Sequence, residues 1–230
     1  MTPIGQSSAA ELIGKFDYQQ IEAEMAGTPG AEYAQEKHAV IPPSFAPPKW
    51  QQGITRLLEK FPFETNVFLM TRFPKLTEAE LPDPVAGAIE VLRRAVAQHG
   101  LHLHLASDRQ AEDEIFGNVV AHMWACQFGI GLLEDRGENQ AGLNDNVLIE
   151  LGSMLVTGRR CAILKDRAAP HPPSDLSSQI YKTVNFDDLG SIAKATHRWL
   201  ADDLMLGTCA GCPAPLTVPP VTATPTKGPE

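Results

Sequence analysis

The chain has 230 residues, 43% of them apolar and 20% charged, and a net charge of −9. That is enough for one substantial core plus an extension, and the acidic balance argues against direct nucleic-acid binding, which needs a basic face for the phosphates. No apolar run approaches the roughly 20 residues that span a bilayer. The acidic, polar N-terminus has no signal-peptide core, and the sparse cysteines point to a reducing cytoplasm.

Residues 1–60 read as a helical N-terminal extension. Leu12, Ile13 and Phe16, then Ile21 and Met25, suggest one or two short helices. The proline-rich stretch from Ile41 to Pro48 cannot be helical, because proline lacks an N–H and restricts its predecessor. Trp50, Ile54, Leu57 and Leu58 then predict a helix leading into the main domain.

Residues 64–205 alternate strand and helix. The apolar run Asn66–Phe73 is the first strand, ended by Pro74. Asp83 can cap a helix with Pro84 at its first position; Val85, Ala88, Ile89, Leu92 and Val96 continue it and Gly100 stops it. Leu101–Ala106 alternates with period two. His102 and His104 share a face there and read as polar residues on a partly covered surface. Ile115, Phe116, Val119, Val120 and Met123 return to helical spacing. Phe128–Leu133 is a third strand, a helix follows from about 145 to 157, Cys161–Lys165 is a fourth strand and Tyr181–Phe186 a short fifth. Asp187 or Asp188 opens a last helix. Short apolar strands joined through helices predict an α/β fold. The expected form is a flavodoxin-like, five-stranded parallel sheet with helices on both faces and its switch point beside the first strand. Residues 207–230, rich in proline and threonine and without apolar periodicity, read as a disordered tail.

Cys126 and Cys161 lie in apolar segments and read as buried thiols. Cys209 and Cys212 form one Cys-x-x-Cys with no second pair to complete a zinc site, so no metal is expected. The chain lacks a Gly-x-Gly-x-x-Gly after the first strand, a Walker sequence and a Gly-x-Ser-x-Gly elbow, which disfavours a dehydrogenase, a P-loop nucleotidase and a serine hydrolase.

Ligands of open α/β sheets bind beyond the carboxyl ends of the strands. Those ends carry Thr71, Arg72 and Phe73, then Ser107, Asp108 and Arg109. Arg72 and Arg109 offer paired donors to a phosphate or carboxylate, and Phe73 can stack on a base or join the core. The segment Asn144-Asp-Asn-Val-Leu-Ile-Glu-Leu-Gly152 sets one carboxylate in an apolar helix. Val147, Leu148, Leu151, Met154 and Leu155 share one face, and Asn146, Glu150 and Ser153 another. A carboxylate facing that crevice suits chemistry that develops positive charge on a sugar; the plain alternative is a solvated glutamate favoured by the helix dipole.

The stretch from Asn144 to Asp187 resembles the bacterial TIR-like nucleotide-binding family, the effectors of anti-phage signalling. The carrying residues are Asn144–Gly152, the strand Cys161-Ala-Ile-Leu-Lys-Asp166, and Pro173-Ser174-Asp175-Leu176 leading into Ile180-Tyr181-Lys182. The resemblance covers about residues 64–205. It implies NAD⁺ as substrate rather than cofactor, with Glu150 as the catalytic residue of NAD⁺ cleavage into nicotinamide and ADP-ribose or a cyclised product. Asn146 would help fix the ribose, and the loops at Thr71–Phe73 and Ser107–Arg109 would line the nucleotide pocket. Activation by a protein partner or by self-assembly is also implied. Two other readings stay open: a nucleoside 2-deoxyribosyltransferase-like enzyme, with Glu150 as nucleophile, and a non-enzymatic nucleotide sensor or TIR-type scaffold.

Overall fold

The computed structural model describes residues 40–74, 83–108, 114–134, 142–173, 176 and 181–213. The chain divides into two units, Met1–Ala39 and Val40–Glu230. The expected helices around Leu12–Met25 and the residues after 213 lie outside the described residues.

Five strands form one parallel sheet: β1 (Asn66–Met70), β2 (His102–His104), β3 (Phe128–Leu133), β4 (Arg160–Asp166) and β5 (Tyr181–Val184). Their order is β2-β1-β3-β4-β5, the flavodoxin-like order, and it reverses direction at β1. The register pairs Phe68 with His104 on one side of β1 and with Gly129 on the other. Among the described residues the strands are accompanied by the helices α1 (Gln51–Leu58), α2 (Pro84–Gln98), α3 (Ile115–Ala125), α4 (Asp145–Val156) and α5 (Leu189–Arg198), the last running on into a π-helical turn at Trp199–Asp203.

Alternation along β1 builds the two cores. Val67 and Leu69 face α2 and α5, packing with Leu92, Val96, Ile192 and Trp199. Phe68 and Met70 face α3 and α4, packing with Val147, Leu151 and Met154. A third cluster joins α1 to α3 through Ile54, Leu57, Ala121 and Ala125. The proline-rich segment and α1 are thus part of the α/β body, which begins at Val40, where the sequence suggested a separate extension to residue 60. Ile41 N–H also donates to the Thr157 carbonyl at 3.0 Å.

Capping follows the sequence closely. Asp83 accepts from Val85 N–H at the start of α2, with Pro84 at the first helical position. Asn144 accepts from the N–H groups of Asn146 and Val147 at the start of α4, and Asp188 from Gly190 at the start of α5. Helix α3 differs: Glu114 precedes it and makes no side-chain cap. Its other end is closed by Arg159, which is 2% exposed. Arg159 donates to the Cys126 and Trp124 carbonyls, both at 2.9 Å, and its guanidinium lies against the Trp124 and Phe63 rings. Gly100, at φ 74°, takes the left-handed turn that ends α2.

His104 is buried and meets the Asn66 side chain at 3.1 Å, while His102 is exposed. Both rings lie 4.9 Å from Phe61, on the partly covered face expected of them. No helix among the described residues is long and apolar enough to cross a membrane.

Helix α4 lies close to the sheet because β3 presents glycine beneath it. A Cβ on Gly129 would fall 2.8 Å from the Cys161 sulfur and 2.9 Å from the Met70 methyl. Gly129→Val should therefore lower unfolding stability by about 1–3 kcal/mol through overpacking, measured by urea denaturation. Gly100→Ala, at a site with open space, should cost only its backbone strain.

Candidate active site

A cavity of about 450 Å³ opens beyond the carboxyl end of β1, walled by α3 and α4. Five of the residues expected from sequence meet there: Thr71, Arg72 and Phe73 after β1, and Asn146 and Glu150 on α4. The neighbouring loop contributes Leu105 and Ala106 instead of Ser107 and Asp108. Ser107 is exposed in the short 3-10 turn Ala106–Asp108. The Asp108 carboxylate accepts from Leu105 N–H at 3.2 Å, bracing that turn. Arg109 lies outside the described residues.

Glu150 sits in the second turn of α4, on the flank of the buried face formed by Val147, Leu151 and Met154. That helix face is set by 3.6-residue periodicity, and the apolar face anchors it to the sheet. Partial burial against the cavity wall removes water from the carboxylate and raises its pKa from the ordinary range to about 7. Both protonation states are therefore accessible near neutral pH. It gives up the proton readily when a positive charge arrives to replace the lost hydration.

Thr71 supplies the second polar element. Its hydroxyl oxygen is buried and has no hydrogen-bond partner among the described residues. A hydroxyl in that condition costs stability unless something else satisfies it, so it is a donor and acceptor available to a bound molecule. Asn146 is exposed at the mouth, and its backbone N–H is already taken by the Asn144 cap at 3.0 Å.

Arg72 lines the same cavity but is committed elsewhere. Its guanidinium makes a two-pronged contact with Asp83, at 2.5 and 2.7 Å, while Nε donates to Glu134 at 2.5 Å. A further donor bond runs to the Phe73 carbonyl at 3.3 Å. The hydrogen bond to Asp83 above all, and the one to Glu134, raise its already high pKa. Arg72 is thus a tie between the end of β1, the cap of α2 and the end of β3. Among the described residues lining the cavity it is the one full cation, and two carboxylates share it.

The remaining walls are apolar. Phe73, Ile115, Phe116 and Ile149 line the cavity while staying 51–67% exposed. Exposed aromatic and branched side chains around a concavity favour a flat, partly apolar ligand such as a base. The Phe116 ring also meets Trp50 edge-on at 6.0 Å. Sequence reasoning placed Ile115 and Phe116 in a helical pattern and did not connect them with the site.

No protein-family model, characterised protein or solved structure matches this chain.

Two outcomes follow from this geometry. Arg72→Gln leaves Asp83 and Glu134 facing each other without their shared cation and should cost about 3–5 kcal/mol of stability, read from chemical denaturation. For Glu150, folding raises the pKa from 4.5 to about 7. Its stability contribution is therefore fully present below the unfolded value and is lost as pH rises through 7. Glu150→Gln should melt with the wild type near pH 4 and above it at pH 8, by on the order of 1 kcal/mol given the group's partial exposure.

Proposed function

We propose that the chain is an NAD⁺ glycohydrolase that cleaves the bond between nicotinamide and ribose, with Glu150 as the catalytic carboxylate. The single observation that carries this reading is the convergence of Glu150, the unpartnered Thr71 hydroxyl and an aromatic rim on one cavity at the sheet's switch point. The resemblance of Asn144–Asp187 to the NAD-cleaving TIR-like family supplies the reaction class.

The chemistry suits these groups. The scissile nitrogen carries a positive charge in the pyridinium ring. When the bond from the ribose C1′ breaks, its electron pair goes to that nitrogen and nicotinamide leaves neutral. Little acid catalysis is needed. The positive charge moves to the ribose, which becomes oxocarbenium-like, and a nearby carboxylate stabilises it electrostatically. Water then adds to C1′ and gives up a proton. Glu150 as the carboxylate is the form required, and the cationic substrate itself favours that form. Asn146 and Thr71 are the neighbouring groups able to hydrogen-bond ribose hydroxyls or the carboxamide, and Phe73 and Phe116 offer flat faces to a ring. The activity would be one turned on by assembly or by a partner, in the manner of an anti-phage effector.

One observation favours a second reading. The Arg72 guanidinium is shared by two carboxylates, which leaves no described cation free in the cavity for a pyrophosphate. A nucleoside without phosphates makes no such demand. In that case Glu150 acts as nucleophile on a deoxynucleoside, forming a covalent glycosyl intermediate that a second base resolves.

The test is product analysis on purified full-length protein, dilute and concentrated. NAD⁺ should yield nicotinamide. Its kcat/KM should rise through about pH 7 to an alkaline plateau, as Glu150 ionises. Glu150→Gln should lower turnover by about 10²–10³-fold or more while the protein stays folded. Base exchange between deoxynucleosides with NAD⁺ left intact would replace the glycohydrolase with the transferase. If neither reaction occurs under any condition, a binding or scaffold role stands instead.

A further inference from the structure

The final described segment passes beneath the far end of α2 and brings its two cysteines to two histidines. His99 ends α2, His197 lies in the last turn of α5, and Cys209 and Cys212 come from the loop that follows. Their four ligand atoms all lie within 4.8 Å of one another. Cys209 and Cys212 sulfurs are 3.5 Å apart, far beyond a disulfide bond. The two ring nitrogens, His99 Nε2 and His197 Nδ1, are 3.2 Å apart. The sulfur-to-nitrogen separations are 3.4 Å from Cys209 to His197, 3.6 Å from Cys212 to His99 and 3.9 Å from Cys212 to His197.

These spacings match the edges of a tetrahedron around one ion. Zinc bonds of about 2.3 Å to sulfur and 2.0–2.1 Å to nitrogen place two sulfurs about 3.8 Å apart, sulfur and nitrogen about 3.6 Å, and two nitrogens about 3.3 Å. We propose that His99, His197, Cys209 and Cys212 form a structural zinc site. It goes beyond the glycohydrolase reading and does not depend on it.

The loop is built for this role. Cys212 N–H closes a turn on the Cys209 carbonyl at 3.0 Å, and Cys209 N–H points to the Cys212 sulfur at 3.1 Å. A backbone donor aimed at a sulfur stabilises the thiolate, the form that binds metal. Gly211 allows the loop to lie flat on the histidine: a Cβ there would fall 2.3 Å from the Gln98 side-chain oxygen and 2.8 Å from His197 Nε2. Two thiolates balance the charge of one divalent zinc. Four protein ligands leave no open position for water or substrate, so the site is structural and not catalytic. It lies at the opposite end of the 15-residue α2 from Asp83 and the cavity, about 22 Å along the helix axis.

The isolated Cys-x-x-Cys lacked a partner pair in sequence because its partners are histidines, one of them more than a hundred positions upstream. The same ordering revises the tail, since residues 207–213 belong with the described body.

The test is metal content and cobalt spectroscopy on the full-length chain, purified without a metal-binding tag from zinc-supplemented medium. One zinc per chain is expected. Cobalt in its place should give the intense ligand-field bands of a tetrahedral ion and a thiolate-to-cobalt charge-transfer band. His197→Ala and the paired Cys209→Ser and Cys212→Ser variant should lose the metal to background, while His99→Cys should retain it. The site is overturned by wild-type protein without zinc whose added cobalt stays octahedral, or by a Cys209–Cys212 disulfide in freshly purified chain. Zinc that persists undiminished in the paired cysteine variant would overturn it as well. Should the variants fail to fold, the wild-type cobalt spectrum alone decides.

Discussion

Arg72 is the constraint on which the crevice depends. Two carboxylates from separate elements, Asp83 at the head of α2 and Glu134 at the end of β3, converge on its guanidinium just past β1. Each would be costly to bury alone, and together they fix three chain segments at the point where the sheet order reverses. Asp83 serves twice, since the same side chain also caps α2. The arginine that sequence offers as a ligand donor is therefore spent on shape. What it holds open is a concavity whose remaining polar groups, Glu150, Asn146 and the Thr71 hydroxyl, are free to act on something else.

Glycine sets the opposite wall. Gly129 and Gly131 on β3 lie beneath the Met154 and Leu151 side chains of α4, so the helix approaches closely and its polar face is carried toward the cavity. Burial by that same packing is what raises the Glu150 pKa. Placement and chemical character of the carboxylate thus have one cause.

The fold was legible because its signals are local. Asp83-Pro84, Asn144 and Asp188 mark helix starts, Gly100 marks a stop, and alternating strand and helix periods imply a parallel sheet. Glu150, Thr71, Phe73 and Asn146 were legible as cavity residues because they sit at strand ends or on a polar helix stripe. Three things were not. Arg72 looked available because its partners are 11 and 62 positions away, and ion pairing across a sheet leaves no trace in spacing. Ser107 and Asp108 follow the right strand, but a 3-10 turn rotates them off the cavity and offers Leu105 and Ala106 instead. The convergence of His99 and His197 on the Cys-x-x-Cys depends on two helices ending at the same level, which periodicity does not encode.

The helices around the crevice are not equally held. Asp83 caps α2 and Asn144 caps α4, whereas α3 begins after Glu114 without a side-chain cap. A missing cap lowers the cost of unwinding a first turn by about 1 kcal/mol. That turn carries Ile115 and Phe116, the exposed apolar rim of the cavity. The wall that yields most cheaply is thus the one that carries the exposed apolar rim. A molecule entering the cavity would meet a helix end without a side-chain cap on one side and, on the other, the capped helix that carries the carboxylate.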